Sequence, residues 1–334
     1  MIHRSLISLP AVAVAIILPA FGQSPAAKVS APAHNKAWTV PRTADGLPDL
    51  QGIWTNATIT PLERPAQFAS KLTATDAEAK AFEKQSNDGL YGDKRSDNPE
   101  ADRDHAYNAL FFDRGTELAR VDGVARTSLI IDPPDGKIPL LTPEGTKRNA
   151  NRFRNSFNSV KDRPLGERCL MGFGSTSGPP MLPVLYNNNY QIVETPETVM
   201  ILVEMVHDVR YIHMDRTQHL PPDIRLWMGD SIGRWDGDTL VVDTANFTEK
   251  TRFRGSSTSL HVLERFTRVA PDTVLYRVTI DDPATFTKPW TLEYPFLATA
   301  GPIYEYACQE GNYAMTDIMG GARKADRASE DGKK

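Results

Sequence analysis

The sequence predicts a mainly β protein, built as an antiparallel barrel or strongly bent sheet. A few short helices come from the N-terminal half and one from the C-terminus. Three observations predict this. From Tyr190 onward the chain is a series of Val-, Ile- and Tyr-rich runs punctuated by turn residues. No helical periodicity intervenes between those runs, so consecutive strands pair antiparallel, and six or more of them must close or fold over to bury one face. Pro (25) outnumbers Gly (22), and an interior Pro removes a donor and clashes with the preceding turn, which argues against long helices.

The elements follow in chain order. Met1 to Gly22 reads as a signal peptide: His3 and Arg4 begin it, Leu6 to Ala20 is apolar, and Ala20-Phe21-Gly22 supplies small residues for cleavage. A membrane anchor is the competing reading, but a spanning helix needs about 20 apolar residues. Gln23 to about Ala37, rich in Ala, Pro and Ser, is a flexible leader. One β-rich domain is expected over 38–334, with extra strands and two helices in 38–165 and the antiparallel series in 166–310. Residues 38–70 are extended. Thr75 and Glu78 form a capping box for a helix to about Gln85. Residues 86–104 are polar and read as a solvated loop. Arg126 to Ile131 is a short strand. Pro143, at a first helical position, opens a basic helix to about Val160.

Strands are expected at Tyr190–Glu194, Val199–Val206, Val209–Met214 and Thr239–Asp243, the last after a tight turn at Trp235-Asp236-Gly237-Asp238. Leu260–Val269 and Thr273–Asp281 form a hairpin across Ala270-Pro271-Asp272. Pro289–Phe296 and Ile303–Ala307 continue the series, and Tyr313 to Arg327 is a terminal helix.

Composition narrows the function. The 334 residues carry 38 basic and 42 acidic side chains, a net charge of −4, which gives no reason to expect nucleic acid as a partner. Cys169 and Cys308 stand about 140 residues apart. In an exported chain an even pair reads as a disulfide, against two buried free thiols or a reactive cysteine.

Several stretches together resemble a large set of secreted bacterial proteins, mostly uncharacterised. They are Pro41 to Trp54 (PRTADGLPDLQGIW), Arg168-Cys169-Leu170, Tyr190 to Val193, Trp227 to Ser231, Arg234 to Thr244 (RWDGDTLVVDT), Leu260 to Phe266 (LHVLERF) and Glu305 to Cys308. The later strands are similar in pattern to lipocalin-like calycin barrels. The resemblance implies an exported barrel and assigns no activity.

The chemistry-bearing residues are few. On a strand, alternation puts His261, Leu263 and Arg265 on one face and Val262, Glu264 and Phe266 on the other. Glu264, among apolar residues, is a candidate general acid/base with its pKa raised by burial, or else a partner for an arginine such as Arg277 or Arg252. His261 is the second catalytic candidate, with His207 and Arg252 assisting. His207, His213 and His219 recur every six residues, too far apart along a strand to share a metal, and no metal motif is present.

The stretch Gly172 to Pro180 fits neither a dinucleotide fingerprint, a nucleophile elbow nor a P-loop. It is expected to be a polar loop at a barrel mouth, with Ser175 in contact with ligand. Tyr190, Trp235 and Tyr276 are expected to line an apolar cavity, and Arg252 and Arg254 to hold an anionic group on its occupant. No motif requires a cofactor. The sequence therefore predicts an exported barrel that binds a small apolar or aromatic molecule, without stable membrane insertion after signal removal. The alternative is a cofactor-independent lyase, isomerase or hydrolase using Glu264 and His261.

Overall fold

The computed structural model describes residues 38–91, 98, 100, 112–151, 155–173, 178–251 and 253–331. The stretches read from the sequence as signal and leader, Ser175 and Arg252 lie outside the described residues, as does the side chain of His207. The strands are β1 (Gly52–Thr55), β2 (Thr73–Ala74), β3 (Arg120–Val121), β4 (Val124–Arg126), β5 (Ile130–Asp132), β6 (Asn189–Glu194), β7 (Thr198–Val203), β8 (Val209–His213), β9 (Asp230–Asp236), β10 (Thr239–Ala245), β11 (His261–Ala270), β12 (Thr273–Asp281) and β13 (Trp290–Ala298). The helices are α1 (Asp76–Tyr91), α2 (Pro143–Ala150) and α3 (Ala314–Asp331). No helix among the described residues is long and apolar enough to cross a membrane.

The expected barrel is present. Nine strands run in the order β1-β6-β7-β8-β9-β10-β11-β12-β13, and β13 pairs back onto β1 through Trp54↔Ala298 and Thr55↔Leu297. β1 is short and occupies only the end of that edge. β5 takes the remainder, pairing Ile130 with Leu292 and Asp132 with Thr291. With both edges of β13 taken, Ile303–Ala307 is not the strand that was expected.

The barrel departs from a fully antiparallel sheet at one joint. β8 and β9 are parallel, with Ile212↔Ser231 and His213↔Ile232. A ring with an odd number of strands cannot alternate up and down all the way round. The chain meets this requirement with the segment 214–229, which crosses back before β9 begins. The expected strand at Arg126–Ile131 is also two strands. β4 joins a small sheet with β2 and β3, while β5 joins the barrel. Between them Thr127 is buried, donating to Leu72 O at 3.0 Å and accepting from Arg64 Nε at 3.1 Å.

Helix starts follow their local signals more closely than helix ends do. The capping box of α1 is formed: the Thr75 N–H donates to Glu78 Oε2 at 2.9 Å and the Glu78 N–H to Thr75 Oγ1 at 3.3 Å. The helix passes the expected stop at Gln85 and takes in the first residues of the supposed loop. In α2, Thr142 Oγ1 accepts from the Gly145 N–H at 3.0 Å and Pro143 opens the helix. It ends at Ala150, ten residues before the expected Val160. The helix lies tight against the loop after β12: a Cβ on Gly145 would come 2.6 Å from Thr285 O.

Alternation along the strands fills the barrel interior. Val262, Glu264 and Phe266 of β11, Tyr276 and Val278 of β12, and Tyr294 and Phe296 of β13 are all fully buried. Their rings pack with centroids 4.9 Å apart for Phe266–Tyr276, 5.0 Å for Tyr276–Phe296 and 5.4 Å for Tyr276–Tyr294. Trp54 and Tyr190 complete this core from β1 and β6. The interior is thus a close-packed core of side chains, as is usual for small barrels.

Candidate functional site: a basic cleft over one end of the barrel

The strand registers Tyr190↔Val203, Ala245↔Asp230, Thr244↔Val262, Val262↔Ile280 and Ile280↔Trp290 gather seven strand termini at one end of the barrel. Three segments cover that end: 178–188, the described residues of 246–260 (246–251 and 253–260), and 282–289. Each is fixed by particular contacts. Buried Asp282 accepts from the Ser257 hydroxyl at 2.8 Å and the Thr285 hydroxyl at 2.7 Å, tying two of the segments together. Phe253 stacks on Trp290 with centroids 6.0 Å apart. The N–H of Met181 donates to the Tyr276 hydroxyl oxygen at 3.2 Å, and Met181 O accepts from the Tyr294 hydroxyl and from Asn56 Nδ2 at 3.0 Å. The barrel's own interior residues therefore hold the segment that caps it.

Between these segments and the stretch 155–173 lies a cleft of about 700 Å³. Met171, Phe173, Leu182, Val184 and Phe253 give it apolar lining, and Lys161, Arg163, Arg168, Lys250 and Arg254 give it basic lining, against one carboxylate among the described residues, Asp162. Asn149, at the end of α2, also reaches it. Of the expected mouth loop, Gly172, Phe173, Gly178 and Pro179 line the cleft. The expected disulfide is formed between Cys169 and Cys308, with Cα atoms 5.7 Å apart. After β13 the chain returns toward this end of the barrel, where the Tyr304 N–H donates to Glu204 Oε1 at 3.1 Å. The disulfide then ties this returning segment to the cleft wall.

The sequence-predicted residues fall into separate places. Arg254 lines the cleft, on a left-handed backbone (φ 47°) beside Gly255. Tyr190 and Tyr276 belong to the filled core, and burial raises both hydroxyl pKa values. Trp235 on β9 is partly buried and packs against that core.

Glu264 is sealed in the barrel. Arg210 Nη1 donates to its Oε1 at 3.1 Å and Nη2 to its Oε2 at 2.7 Å, while the Tyr276 hydroxyl donates to Oε1 at 2.8 Å. Its arginine partner comes from β8, across the interior, rather than from Arg277 or Arg252. Arg277 lies on the outer face of β12, where Glu293 holds it.

His261 lies on the opposite face of β11 from Glu264, with 41% of its side chain exposed. It belongs to a chain of hydrogen bonds that the sequence did not show. Asp243 Oδ1 takes His261 Nε2 at 2.7 Å and His219 Nε2 at 3.0 Å. His219 Nδ1 lies 3.1 Å from Asp230 Oδ2, which also accepts the Leu220 N–H at 2.9 Å. Among the described residues, no group of three or more His, Cys, Asp or Glu side chains is placed to hold a metal ion.

The hydrogen bond from His261 lowers the Asp243 pKa, and Asp243 raises that of His261 against the opposing effect of burial. A histidine whose pKa is raised on folding stabilises fully below its unfolded value, and that contribution is lost as pH rises through the folded value. Asp243→Asn is therefore expected to destabilise by ~0.5–1 kcal/mol at mildly acidic pH, a modest effect because the pair is partly exposed, and by less at alkaline pH. Urea titrations of both proteins at the two pH values check this. An equal loss at both would contradict it.

Elsewhere, Glu194 at the end of β6 has its pKa pushed up to about 7, chiefly by burial, although the Leu50 N–H donates to Oε1 at 2.8 Å. It does not line the cleft. No family model, curated protein or solved structure matches this chain.

Proposed function

We propose that this is an exported protein that binds a small apolar or aromatic molecule in the cleft over the barrel end. The carrying observation is the cleft itself, about 700 Å³ with Met171, Phe173, Leu182, Val184 and Phe253 as apolar lining. Small-molecule sites usually span about 300–1,000 Å³ and combine apolar walls with a few polar groups. The barrel interior, where the sequence put the ligand, is occupied by the protein's own aromatic side chains. The Cys169–Cys308 disulfide supports export to an oxidising compartment.

The acid–base enzyme reading has less support. Glu264 has both oxygens engaged inside the barrel, and His261 lies on the other face of the same strand.

Fluorescence titration with the neutral probe N-phenyl-1-naphthylamine tests the binding reading. Saturable one-site binding is expected, and Val184→Trp, which fills the cleft from its wall, is expected to weaken it by about tenfold or more. Binding that Val184→Trp leaves unchanged, or no binding at all, would contradict the assignment. Circular dichroism confirms that the variant is folded.

A further inference from the structure

We propose that the molecule held in this cleft is an amphipathic anion, with a carboxylate, sulfonate or phosphate group on an apolar body. The inference rests on the cleft being a binding site and adds the chemical class of its occupant. It starts from charge. The chain as a whole is acidic, at −4, yet among the described residues five basic side chains line this cleft against one carboxylate.

Several of those charges already have partners within the protein, Arg168 among them, whose Nη1 donates to Lys161 O at 3.4 Å. Arg163 donates to both oxygens of Glu167, at 2.8 and 2.9 Å, and Asp162 accepts from the Ser159 hydroxyl at 2.8 Å. Lys161 and Lys250 have no acidic partner among the described residues. A concave surface lined by one sign of charge focuses its field and concentrates counterions of the opposite sign.

A second observation gives the occupant its apolar body. A smaller cavity of about 280 Å³ shares Leu182, Pro183, Val184 and Arg254 with the main cleft, and its remaining lining is Ile59, Leu62, Leu129 and Leu185 together with Thr58, Thr60 and Arg114. Arg254 therefore stands where the basic cleft meets a lobe walled largely by aliphatic side chains. Its position is fixed by its neighbours: Phe253 is stacked on Trp290, and Gly255 O accepts from Arg148 Nε at 3.1 Å. A guanidinium at such a boundary suits a molecule with a charged head and an apolar body, because the planar fork matches a carboxylate or phosphate.

The test compares two probes with the same ring system, with and without an anionic group. They are 8-anilinonaphthalene-1-sulfonate and the neutral N-phenyl-1-naphthylamine. At low salt the sulfonate is expected to bind about tenfold tighter than the neutral probe, and the advantage is expected to shrink at about 0.3 M NaCl. In the double variant Lys161→Gln/Lys250→Gln the affinity ratio of the two probes is expected to fall toward one. Both lysines are exposed, so the substitutions do not threaten the fold. If the neutral probe binds as tightly as the sulfonate, or the ratio ignores salt and both lysines, the anion inference is overturned while the binding site stands. If neither probe binds, both are overturned.

Discussion

Replacing Arg210 by Ala is expected to lower the stability of this protein by about 3–5 kcal/mol, and Glu264→Ala to do the same. The two side chains are 1% and 0% exposed. Each was taken out of water at a cost that only its partner offsets, so removing one leaves a bare charge in an apolar core. The damage extends beyond the pair. The Tyr276 hydroxyl donates to Glu264 and in turn accepts from the Met181 N–H, so loss of Glu264 loosens the segment that caps the barrel and walls the cleft. A double replacement, Arg210→Met with Glu264→Leu, removes both charges and is expected to recover much of the loss. Urea unfolding of the four proteins measures this. Single variants that each lose less than about 1 kcal/mol would show that the pair is not desolvated as described.

Opening the disulfide is the second large effect. Cys169 and Cys308 are 139 residues apart, and a cross-link over that span restricts the unfolded chain by about 4–5 kcal/mol on a chain-entropy basis. Cys169→Ala/Cys308→Ala is expected to lose that much in urea unfolding. It is also expected to weaken probe binding, because the bond holds the stretch that carries Arg168, Met171 and Phe173 against the returning C-terminal segment. Stability equal to that of the intact protein would contradict the tether. A stability loss with unchanged probe affinity would show that the cleft wall stands without it.

The barrel wall was legible because period-two alternation is a local signal. From His261 to Phe266 it assigned each face correctly, and the β11–β12 hairpin followed from its turn residues. The parallel joint was not legible. It is set by strand number and by the crossover 214–229, whose sequence shows no periodicity. The same alternation also cannot distinguish a hollow barrel from a filled one: Tyr190 and Tyr276 face inward in either case, and only packing shows that rings and an ion pair occupy the space.

The cleft was hidden for a different reason. Its lining comes from 149–151, 155–173, 178–184, 250–251 and 253–254, stretches that meet only in the folded chain. One signal was present and went unused. Lys161, Arg163 and Arg168 cluster just before the Gly172–Pro180 loop in a chain that is acidic overall. Reading those charges together with Arg254 would have moved the candidate site from the barrel interior to its rim.

The central claim is that a ligand occupies this cleft and leaves the barrel interior undisturbed. Amide chemical-shift mapping of the isotope-labelled protein titrated with 8-anilinonaphthalene-1-sulfonate tests it most directly. The account predicts saturable shifts at Met171, Phe173, Val184 and Phe253, with Phe266 and Val242, the buried β10 residue paired with Glu264, unmoved. Shifts concentrated on Val242 and Phe266, or none at the cleft, would contradict it.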